Sequence, residues 1–364
     1  MTTAALAPGR RALRIAQVAP LFESVPPKFY GGTERVVSYL TEALVRLGHQ
    51  VTLFASGDSI TSARLCSCWP RALRLDGRSL QHEVPHMLHM EHVFRHAGEF
   101  DVIHFHTDHL HFPLARRSQV PQMTTLHGRL DLPELFPLMR EFREMPLVSI
   151  SDAQRRPLAW AHWQATVHHG LPACLLQMRA EPGRYLAFLG RISPEKRCDR
   201  AIEIARRLGM PLKIAAKVDP ADQAYYESSI RPLMDDPLVE FVGEISEDRK
   251  AEFLGHAIAL LFPIEWPEPF GLVMIEAMAC GTPVVAFRHG SVPEIIDPGV
   301  TGFIVDSIDE AVHATRQAAG LDRRACRRRF DERFTADQMA VNYLAVYQRL
   351  IHRAAEPLKE VSNG

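Results

Sequence analysis

Long apolar runs are missing from this sequence, and no stretch of it reaches the roughly 20 apolar residues that a membrane-spanning helix needs. Its first residues, MTTAALAPGRRALRIAQVAP, also lack the continuous apolar segment of a secretory signal. The six cysteines are scattered and form no CxxC pair, which favours reduced thiols over a disulfide framework. These absences predict a soluble, cytoplasmic protein.

An excess of charge of one sign is missing as well. The formal net charge is −1 at pH 7, so the chain has no surplus of lysine and arginine for binding nucleic acid through its phosphates. No GxGxxG precedes a predicted helix, which argues against a nicotinamide cofactor, and no other cofactor is predicted. With 364 residues, 46% of them hydrophobic, the chain is long enough for two domains with sizeable cores.

The stretch from residue 257 to residue 287 has the order strand, loop, helix and strand. An apolar run, Ala257 to Phe262, predicts a buried strand, and a loop rich in proline and glutamate follows it. Gly271 leads into an apolar segment, Leu272 to Ala279, that predicts a helix, and CGTP ends it. Val284 to Phe287 predicts the next strand. This is the order of a parallel βαβ unit, whose ligands bind beyond the carboxyl ends of the strands.

Two glutamates, Glu268 and Glu276, lie eight positions apart around the predicted start of this helix. Carboxylates accept hydrogen bonds from hydroxyls and repel phosphate, whereas the amides of a helix start bind phosphate. A ligand with hydroxyls at both ends and phosphate in the middle, a nucleotide sugar, matches both features. The alternative is a helix cap beside one solvated glutamate, which an isolated pair at this spacing would favour.

The residues that flank the two glutamates change this balance. The segment EPFGLVMIEAMACGTPVVA resembles the E-x7-E signature of the retaining, metal-independent glycosyltransferases of family 4, and the resemblance extends from Arg14 to about Leu350. It implies the α/β GT-B fold, in which two Rossmann-like, doubly wound parallel-sheet domains face a cleft. The implied domains are an N-terminal acceptor-side domain (1–180), a nucleotide-sugar-binding domain (181–340) and a C-terminal helix (341–364) that packs back on the N-terminal domain.

A second family motif, GR-x4-K, is matched by GRISPEK, in which Arg191 and Lys196 flank a turn between a predicted strand and a predicted helix. In the family these two cations hold the leaving diphosphate, and their position suits that role. In isolation, two solvated cations would be the simpler interpretation. The family commonly has glycine after the lysine, whereas this chain has Arg197.

The resemblance also implies a set of donor-binding residues around the glutamates and in neighbouring loops. The residues at the loop and helix start are Glu268, Pro269, Phe270, Gly271, Leu272 and Glu276. Loops that contact base and ribose in the family suggest Ile245 and, in second rank, Lys217. Glu294 is another second-rank candidate, because GSVPE resembles the G-x-PE loop of the family.

In the N-terminal half, Gly31 and Gly32 precede a predicted helix. A tight turn alone would explain them, but the family has this loop over the cleft, near the donor phosphates and the acceptor. His127 follows a predicted strand and precedes a glycine, and the corresponding histidine of the family supports the transferred sugar by hydrogen bonding. His106 and Asp108, at the end of an earlier strand, are second-rank candidates that ordinary loop polarity would explain equally well.

Two further runs lie outside these motifs. Histidines recur along one face of a helix predicted over residues 85–98, namely His82, His86, His89, His92 and His96. No carboxylate or cysteine accompanies them in a pattern such as HExxH, so we predict a solvated or partner-facing stripe and no metal site. The basic run RRACRRR, residues 323–329, predicts a solvated helix face, with peripheral membrane contact as the alternative. Residues 331–351 predict one amphipathic helix.

These motifs together predict transfer of a hexose, with retention, from a nucleotide diphosphate sugar such as a UDP- or GDP-sugar to an acceptor hydroxyl. The acceptor would be a sugar, a lipid-linked sugar or a small molecule. The resemblance implies a front-face reaction in which catalysis is electrostatic and positional, with His127, Glu268, Arg191 and Lys196 as catalytic residues. Two alternatives stay open: another GT-B enzyme, such as a phosphorylase or an epimerase, and a nucleotide-sugar-binding module without catalysis.

Overall fold

The computed structural model describes residues 11–28, 31–76, 81–181 and 183–356. Within these ranges the chain forms two compact units. The first comprises the residues up to 150, together with 155–170 and those from 336 onward, and the second comprises 151–154 and 171–335. The chain leaves the first unit after residue 170 and returns to it after residue 335, whereas the predicted domain boundaries were residues 180 and 340.

Each unit contains one parallel sheet. The strands are β1 (Arg14–Val18), β2 (Gln50–Phe54), β3 (Arg64–Cys66), β4 (Val102–Phe105), β5 (Gln122–Thr125), β6 (Leu147–Ser149), β7 (Trp163–Thr166), β8 (Tyr185–Ile192), β9 (Leu212–Val218), β10 (Val239–Gly243), β11 (Ala257–Phe262), β12 (Val284–Phe287) and β13 (Gly302–Val305). Among the described residues, the first sheet has seven strands in the order β3-β2-β1-β4-β5-β6-β7, and the second has six in the order β10-β9-β8-β11-β12-β13. Every neighbouring pair is parallel, which is the arrangement that the alternation of strands and helices predicts.

Helices connect the strands. They are α1 (Gly32–Arg46), α2 (Glu83–Arg95), α3 (Phe112–Ala115), α4 (Leu135–Glu141), α5 (Asp152–Arg155), α6 (Cys198–Leu208), α7 (Gln223–Tyr225), α8 (Glu247–Gly255), α9 (Leu272–Ala279), α10 (Val292–Ile295), α11 (Ile308–Ala318), α12 (Arg323–Arg333) and α13 (Ala336–Ala355). In the part of the chain that the structure describes, none of them is long and apolar enough to cross a membrane.

The last helix belongs to the first unit, although it follows the second unit in the chain. Tyr343 and Tyr347 of α13 are fully buried there, and the Gln17 amide on the inner strand β1 donates a hydrogen bond to the Tyr347 hydroxyl at 2.9 Å. Arg46, at the end of α1, forms an ion pair with Asp337. The predicted return of the C-terminal helix to the N-terminal sheet is therefore confirmed.

The single helix predicted over residues 331–351 was wrong, because the structure has two helices there. α12 ends at Arg333, and α13 begins at Ala336. Between them, the carbonyl of Phe334 accepts a hydrogen bond from the amide of Leu171 at 2.9 Å. Thr335 then precedes a first turn that contains Asp337, a combination that favours a new helix start. The apolar spacing continues across the break, which is why the pattern alone suggested one helix.

The prediction of a solvated or partner-facing histidine stripe on α2 was wrong for His86 and His89, whereas His82 is exposed. His86 and His89 are 4% and 0% exposed, and Nε2 of His89 lies 3.0 Å from the carbonyl oxygen of Ala19. His92 and His96 contact the ring of Phe54 in the core. The four histidines from His86 to His96 therefore pack against the sheet and satisfy loop backbone groups. Apolar periodicity could not indicate this packing, because histidine counts as a polar residue.

The basic run on α12 faces inward at two of its five arginines, so the predicted solvated face was wrong for these two. The guanidinium of Arg323 is 8% exposed and donates to the carbonyls of Arg179, Gly255 and Ala257, each at 2.8 Å. Arg327 likewise donates to main-chain carbonyls, including those of Leu176 and Ala279. These side chains tie α12 to its own unit and are not available to a membrane surface.

We predict that Arg323→Ala lowers the stability of the second unit by about 3 kcal/mol, because it leaves several buried carbonyls without a donor. The Arg323 guanidinium also donates to the Thr282 hydroxyl at 2.7 Å, so that group loses its donor too. Native-state hydrogen exchange of β11 and β12 amides measures the free energy of opening.

The matched control is Arg328→Ala on the same helix. The side chain of Arg328 is 62% exposed, and its ion pair with Asp322 has an N–O distance of 3.4 Å, so its loss should change stability by less than about 0.5 kcal/mol. Equal effects of the two substitutions would contradict the structural role assigned to Arg323.

Candidate functional site

The predicted βαβ unit of residues 257–287 is confirmed element by element. β11, α9 and β12 begin and end at the predicted residues. Gly271 stands at the N-cap of α9 with φ 78°, a left-handed conformation that favours glycine. It contributes no side chain to cap the first turn, and Leu272 and Val273 are partly exposed. The amides of this helix start therefore have no side-chain cap and lie at the positive end of the helix dipole.

Glu268 is buried beside this helix start. Its side chain is near Gly271, since a Cβ on that glycine would lie 3.3 Å from Cγ of Glu268. Lys196 donates to Oε2 of Glu268, and the indole of Trp266 donates to the same oxygen at 2.9 Å. The Lys196 ammonium also lies 4.9 Å from the Trp266 ring centroid. The GR-x4-K turn and the E-x7-E loop, which the sequence separates widely, therefore meet at one carboxylate.

Glu276 lies within α9 and is 4% exposed. Lys250, on α8, donates to Oε1 of Glu276 at 2.7 Å and also lies 3.2 Å from the Glu247 carboxylate. We did not predict Lys250 from the sequence. It lies outside the recognised motifs on a short helix rich in charge, where nothing distinguishes it from solvated neighbours. Each glutamate of the E-x7-E motif is thus held by a lysine from another element.

Arg191 has a more acidic environment than its motif suggested. Its guanidinium lies 2.5 Å from Glu195, 3.6 Å from Asp219 and 3.4 Å from Asp222. Lys217, a second-rank candidate, pairs with the same Asp219 at 2.8 Å. These carboxylates compensate the charge of Arg191, so a phosphate would have to compete with them for it.

The backbone conformation of Arg197 explains why the family commonly has glycine at this position, directly after the motif lysine. Its backbone has φ 52° and ψ 52°, the left-handed region that costs an ordinary residue about 1–2 kcal/mol. The side chain offsets this by pairing with Asp199 at 2.8 Å and with Glu265. Arg200 also binds Glu265, at 2.6 Å. Two arginines of the Lys196 region therefore anchor the loop that carries Glu268.

The GSVPE segment packs against the backbone of the loop that carries Glu268. Gly290 has φ 56°, and a Cβ there would lie 2.2 Å from the carbonyl oxygen of Glu268. The amide of Ser291 donates to that carbonyl at 3.0 Å, and its hydroxyl donates to the carbonyl of Phe270 at 2.7 Å. The carboxylate of Glu294 accepts from the amides of Asp152 and Ala153, each at 2.7 Å. In this structure Glu294 thus has a structural role at the start of α5.

The remaining candidates of the second unit have simple environments. Pro269 and Phe270 are buried, and the Phe270 ring contacts that of Phe334. Their side chains therefore shape the loop, and their predicted contacts with the donor stay predictions. Ile245 is half-buried between β10 and α8. Nothing in its contacts assigns it a ligand, so its role stays a prediction.

In the first unit, the structure brings His127 and His106 together. β4 and β5 are neighbours in the sheet, and the two histidines follow their carboxyl ends. Nε2 of His127 lies 2.9 Å from Nδ1 of His106. The ring of His127 also stacks on that of His169, with centroids 5.3 Å apart. The sequence analysis did not single out His169, which lies in a loop after the last strand of the unit.

Both histidines are neutral at physiological pH. Burial lowers the pKa of His127 to about 3, and burial together with neighbouring histidines holds the pKa of His106 well below its usual range. A histidine with a lowered pKa carries one ring proton and one lone pair at pH 7. This pair therefore offers hydrogen bonds, not positive charge.

Gly31, Gly32 and Asp108 lie at element ends in this unit. Gly31 is buried at the N-cap of α1, where a Cβ would lie 2.8 Å from Cβ of Pro27, and Gly32 is exposed at the first position of the helix. Asp108 is exposed with φ 49°. The tight packing of Gly31 accounts for that glycine by sterics, and the predicted ligand contacts of all three stay predictions.

No group of three or more His, Cys, Asp or Glu side chains is arranged to hold a metal ion within the described ranges. Cys66 and Cys68 nevertheless lie near the α2 stripe, with Sγ of Cys66 3.2 Å from Nε2 of His92 and Sγ of Cys68 3.7 Å from Nδ1 of His89. Burial raises the pKa of both thiols. They are neutral partners of the histidines in a core contact.

We predict that Gly290→Ala disorders the Glu268 loop, because its methyl group would overlap the Glu268 backbone. Hydrogen exchange of amides 263–271 should rise at least tenfold. Gly299→Ala is the control, since Gly299 also has positive φ, 77°, but nothing within 4 Å of its Cβ position. The free energy of unfolding of the control should fall only by the conformational cost of about 1–2 kcal/mol, and hydrogen exchange in the Glu268 loop should not change. Matching exchange in both variants would exclude the steric explanation.

Comparisons with known proteins give matches in both halves of this chain. Residues 30–172 match the family model described as Glycosyltransferase Family 4, and residues 178–333 match that described as Glycosyl transferases group 1. The D-inositol 3-phosphate glycosyltransferase of Mycolicibacterium smegmatis is 31% identical over 193 residues, which cover 50% of this chain and 44% of that protein. The matches with the curated relatives span between 20% and 59% of the length of those proteins.

Solved structures match over nearly the whole chain. AviGT4, a glycosyltransferase involved in avilamycin A biosynthesis, superposes with a TM-score of 0.72 at 24% identity, covering 93% of this chain and 98% of that one. Anabaena Alr3699/HepE, crystallised in complex with UDP and glucose, has a TM-score of 0.70 at 17% identity, covering 93% and 100%. At these identities the likeness shows the GT-B fold. The two family models, which match residues 30–172 and 178–333, mean that this chain belongs to the glycosyltransferases of family 4.

Proposed function

We propose that this protein transfers a sugar from a nucleotide diphosphate sugar to an acceptor hydroxyl, with retention at the anomeric carbon and without a metal ion. The observation that carries the proposal is the contact between Lys196 and Glu268 at the start of α9. An ammonium, a buried carboxylate and the amides of a helix start converge there. A sugar joined to a diphosphate has a chemical partner for each of the three.

The division of labour follows from charge. The carboxylate of Glu268 accepts from hydroxyls and repels phosphate, so it is suited to the sugar. Lys196 and the amides after Gly271 are suited to the diphosphate. Glu276, held by Lys250 at 2.7 Å, is suited to the ribose hydroxyls, and the lysine fixes the direction in which its carboxylate faces.

Departure of the nucleoside diphosphate develops negative charge, which fixed cations stabilise without rearrangement. Lys196 supplies one such charge, and Arg191 supplies a second when the diphosphate displaces its carboxylate partners. The leaving phosphate itself then helps to deprotonate the acceptor, in a front-face reaction. For His127, a neutral group, the prediction from the family resemblance is kept: hydrogen bonding to the transferred sugar. A divalent ion is not needed in this scheme, because protein cations take its place.

The function is tested in two stages on the full chain. A thermal-shift screen with UDP, GDP and ADP and their glucose conjugates identifies the nucleotide, since a ligand that binds the folded state raises the melting temperature by an amount that grows with its concentration relative to Kd. The stabilising sugar nucleotide is then incubated with acceptors and EDTA. Release of the nucleoside diphosphate with formation of an α-linked product from an α-linked donor supports the proposal. An inverted product, or activity that returns only with a divalent metal, would overturn the corresponding part.

The acceptor panel includes D-inositol 3-phosphate, because relatives that match half of this chain carry that name, together with simple sugars and a lipid-linked sugar. The alternatives have distinct outcomes. Turnover that requires orthophosphate identifies a phosphorylase, and interconversion of two sugar nucleotides identifies an epimerase. Binding without even slow donor hydrolysis identifies a module that binds without catalysis.

We predict that Lys196→Ala lowers kcat by about a hundredfold, in the range observed when a group that stabilises a developing anion is removed. Affinity for the nucleoside diphosphate should fall by less than about tenfold, because the helix amides remain. Steady-state kinetics and calorimetry separate the two effects. Lys213→Ala is the control, since Lys213 pairs with the exposed Glu240 on the neighbouring strand and should keep both constants.

We predict that Glu276→Ala weakens nucleoside diphosphate binding by about ten- to a hundredfold, the effect of losing hydrogen bonds to a charged group. Lys250→Met should act in the same direction with a smaller factor, because Glu276 remains but loses its fixed orientation. Isothermal calorimetry measures both.

Glu240→Ala serves as the control for these two variants, because the Glu240 side chain is 60% exposed. Unchanged affinity in Glu276→Ala would remove the ribose assignment and leave the Lys196 assignment standing.

A further inference from the structure

A continuous chain of hydrogen bonds connects His127 with the last helix, all within the first unit. Nε2 of His127 lies 2.9 Å from Nδ1 of His106, and Nε2 of His106 lies 2.9 Å from Oε1 of Gln17. The amide nitrogen of Gln17 donates to the Tyr347 hydroxyl at 2.9 Å. The hydroxyl of Tyr347 lies 2.7 Å from Nδ1 of His104. This chain of hydrogen bonds extends from the end of one strand through the sheet to α13.

The groups at the other end of this hydrogen-bond chain also have hydrogen-bond partners. Nε2 of His104 lies 2.7 Å from the hydroxyl of Thr125, which is 3.0 Å from the hydroxyl of Tyr343. Gln17, His104 and Tyr347 are 0% exposed, and His106 is 1% exposed. Because water does not reach these groups, each must find its donor or acceptor within the chain.

Gln17 gives the chain a direction, because a side-chain amide has distinct accepting and donating ends. Its oxygen faces His106, so Nε2 of His106 carries the proton. His106 is neutral, with burial holding its pKa well below the usual range, so its Nδ1 is an acceptor. Nε2 of His127 must then donate to it, which leaves the lone pair of His127 on Nδ1.

The other half of the chain agrees with this direction. The Gln17 nitrogen donates to Tyr347, whose hydroxyl proton is then free to go to Nδ1 of His104. Nε2 of His104 in turn donates to Thr125. Reversing the Gln17 amide would require every one of these bonds to reverse, since each group supplies one donor and one acceptor to the chain.

We propose that Gln17 and Tyr347 are positioning residues that hold His127 in the tautomer protonated on Nε2, so that Nδ1 is presented as an acceptor to a hydroxyl of the ligand. Nδ1 of His127 is buried and has no hydrogen-bond partner among the described residues, so the lone pair is left for a ligand. It suits a hydroxyl and disfavours carboxylate or phosphate oxygens, which have no proton to donate. Identification of that hydroxyl with one on the donor sugar rests on the proposed function.

The direct test is the ring-nitrogen spectrum of His127 in the full chain without ligand. Proton–nitrogen correlation spectra of protein labelled with 15N-histidine distinguish the two tautomers, and the signal is assigned by its loss in His127→Asn. We expect protonation on Nε2 in the unsubstituted protein. Protonation on Nδ1 would overturn the proposal.

Two tyrosines one turn apart on α13 provide a matched pair of variants. Tyr347→Phe removes the hydroxyl between Gln17 and His104, so the Gln17 amide can reverse and both tautomers of His127 should be populated. Tyr343→Phe removes an equally buried hydroxyl that contacts only the Thr125 end of the chain, and the tautomer should stay as in the unsubstituted protein. The same spectrum for both variants would contradict the proposed role of Tyr347.

A double-substitution experiment separates positioning from a general structural effect. In the unsubstituted background, Tyr347→Phe should lower kcat/KM for the sugar nucleotide about tenfold. In the His127→Asn background it should have no further effect, because asparagine has an amide oxygen and no tautomers. Equal losses in both backgrounds would show that Tyr347 acts only on folding.

The nitrogen spectrum and the kinetic measurements test different proposals, so each can refute one and leave the other standing. A chain with the expected tautomer and no turnover of any sugar nucleotide would refute the proposed function and leave the hydrogen-bond assignment intact. Turnover by a chain whose His127 is protonated on Nδ1 would refute the assignment and leave the function intact.

Discussion

The carboxylate of Glu268 is the group on which the second unit depends most. Burying a charge costs several kcal/mol unless a partner of opposite charge and further hydrogen bonds compensate it. Lys196 and Trp266 supply that compensation, and both approach only because the loop has its present path. That path requires Gly290, whose missing side chain lets two backbone segments meet. One buried charge therefore explains a lysine, a tryptophan and a glycine from three separate stretches of sequence.

Sequence reasoning succeeded where a local signal ends an element. The limits of α9 were predicted correctly because Gly271 opens it and Gly281 and Pro283 follow it. The end of α6 has the same kind of signal, since the helix stops at Leu208 and Gly209 follows with φ 66°. In both cases the residue that stops the helix has a backbone preference strong enough to act without tertiary context.

Sequence reasoning failed where a polar side chain points inward. His89 of α2 and Arg323 of α12 were predicted to be solvated, but each satisfies backbone carbonyls in the interior. Lys250 was missed for the same reason, since its partner Glu276 lies on another helix. A residue type records hydrogen-bonding capacity but not the location of the partner, and that location depends on the packing of distant elements.

The two units differ in the kind of interaction they offer. Several candidate residues of the second unit are charged groups held in pairs, as with Lys196 and Glu268. His106 and His127 of the first unit are instead neutral imidazoles linked by a hydrogen bond, since burial lowers their pKa values. A charged site binds phosphate strongly, whereas a neutral one discriminates by the direction of its donors and acceptors. Such direction has to be imposed by neighbours, because an imidazole can place its proton on either nitrogen. The return of α13 to the first sheet has a consequence beyond packing. It brings Tyr347 to Gln17, and so connects the last part of the chain to the direction of a hydrogen bond at His127.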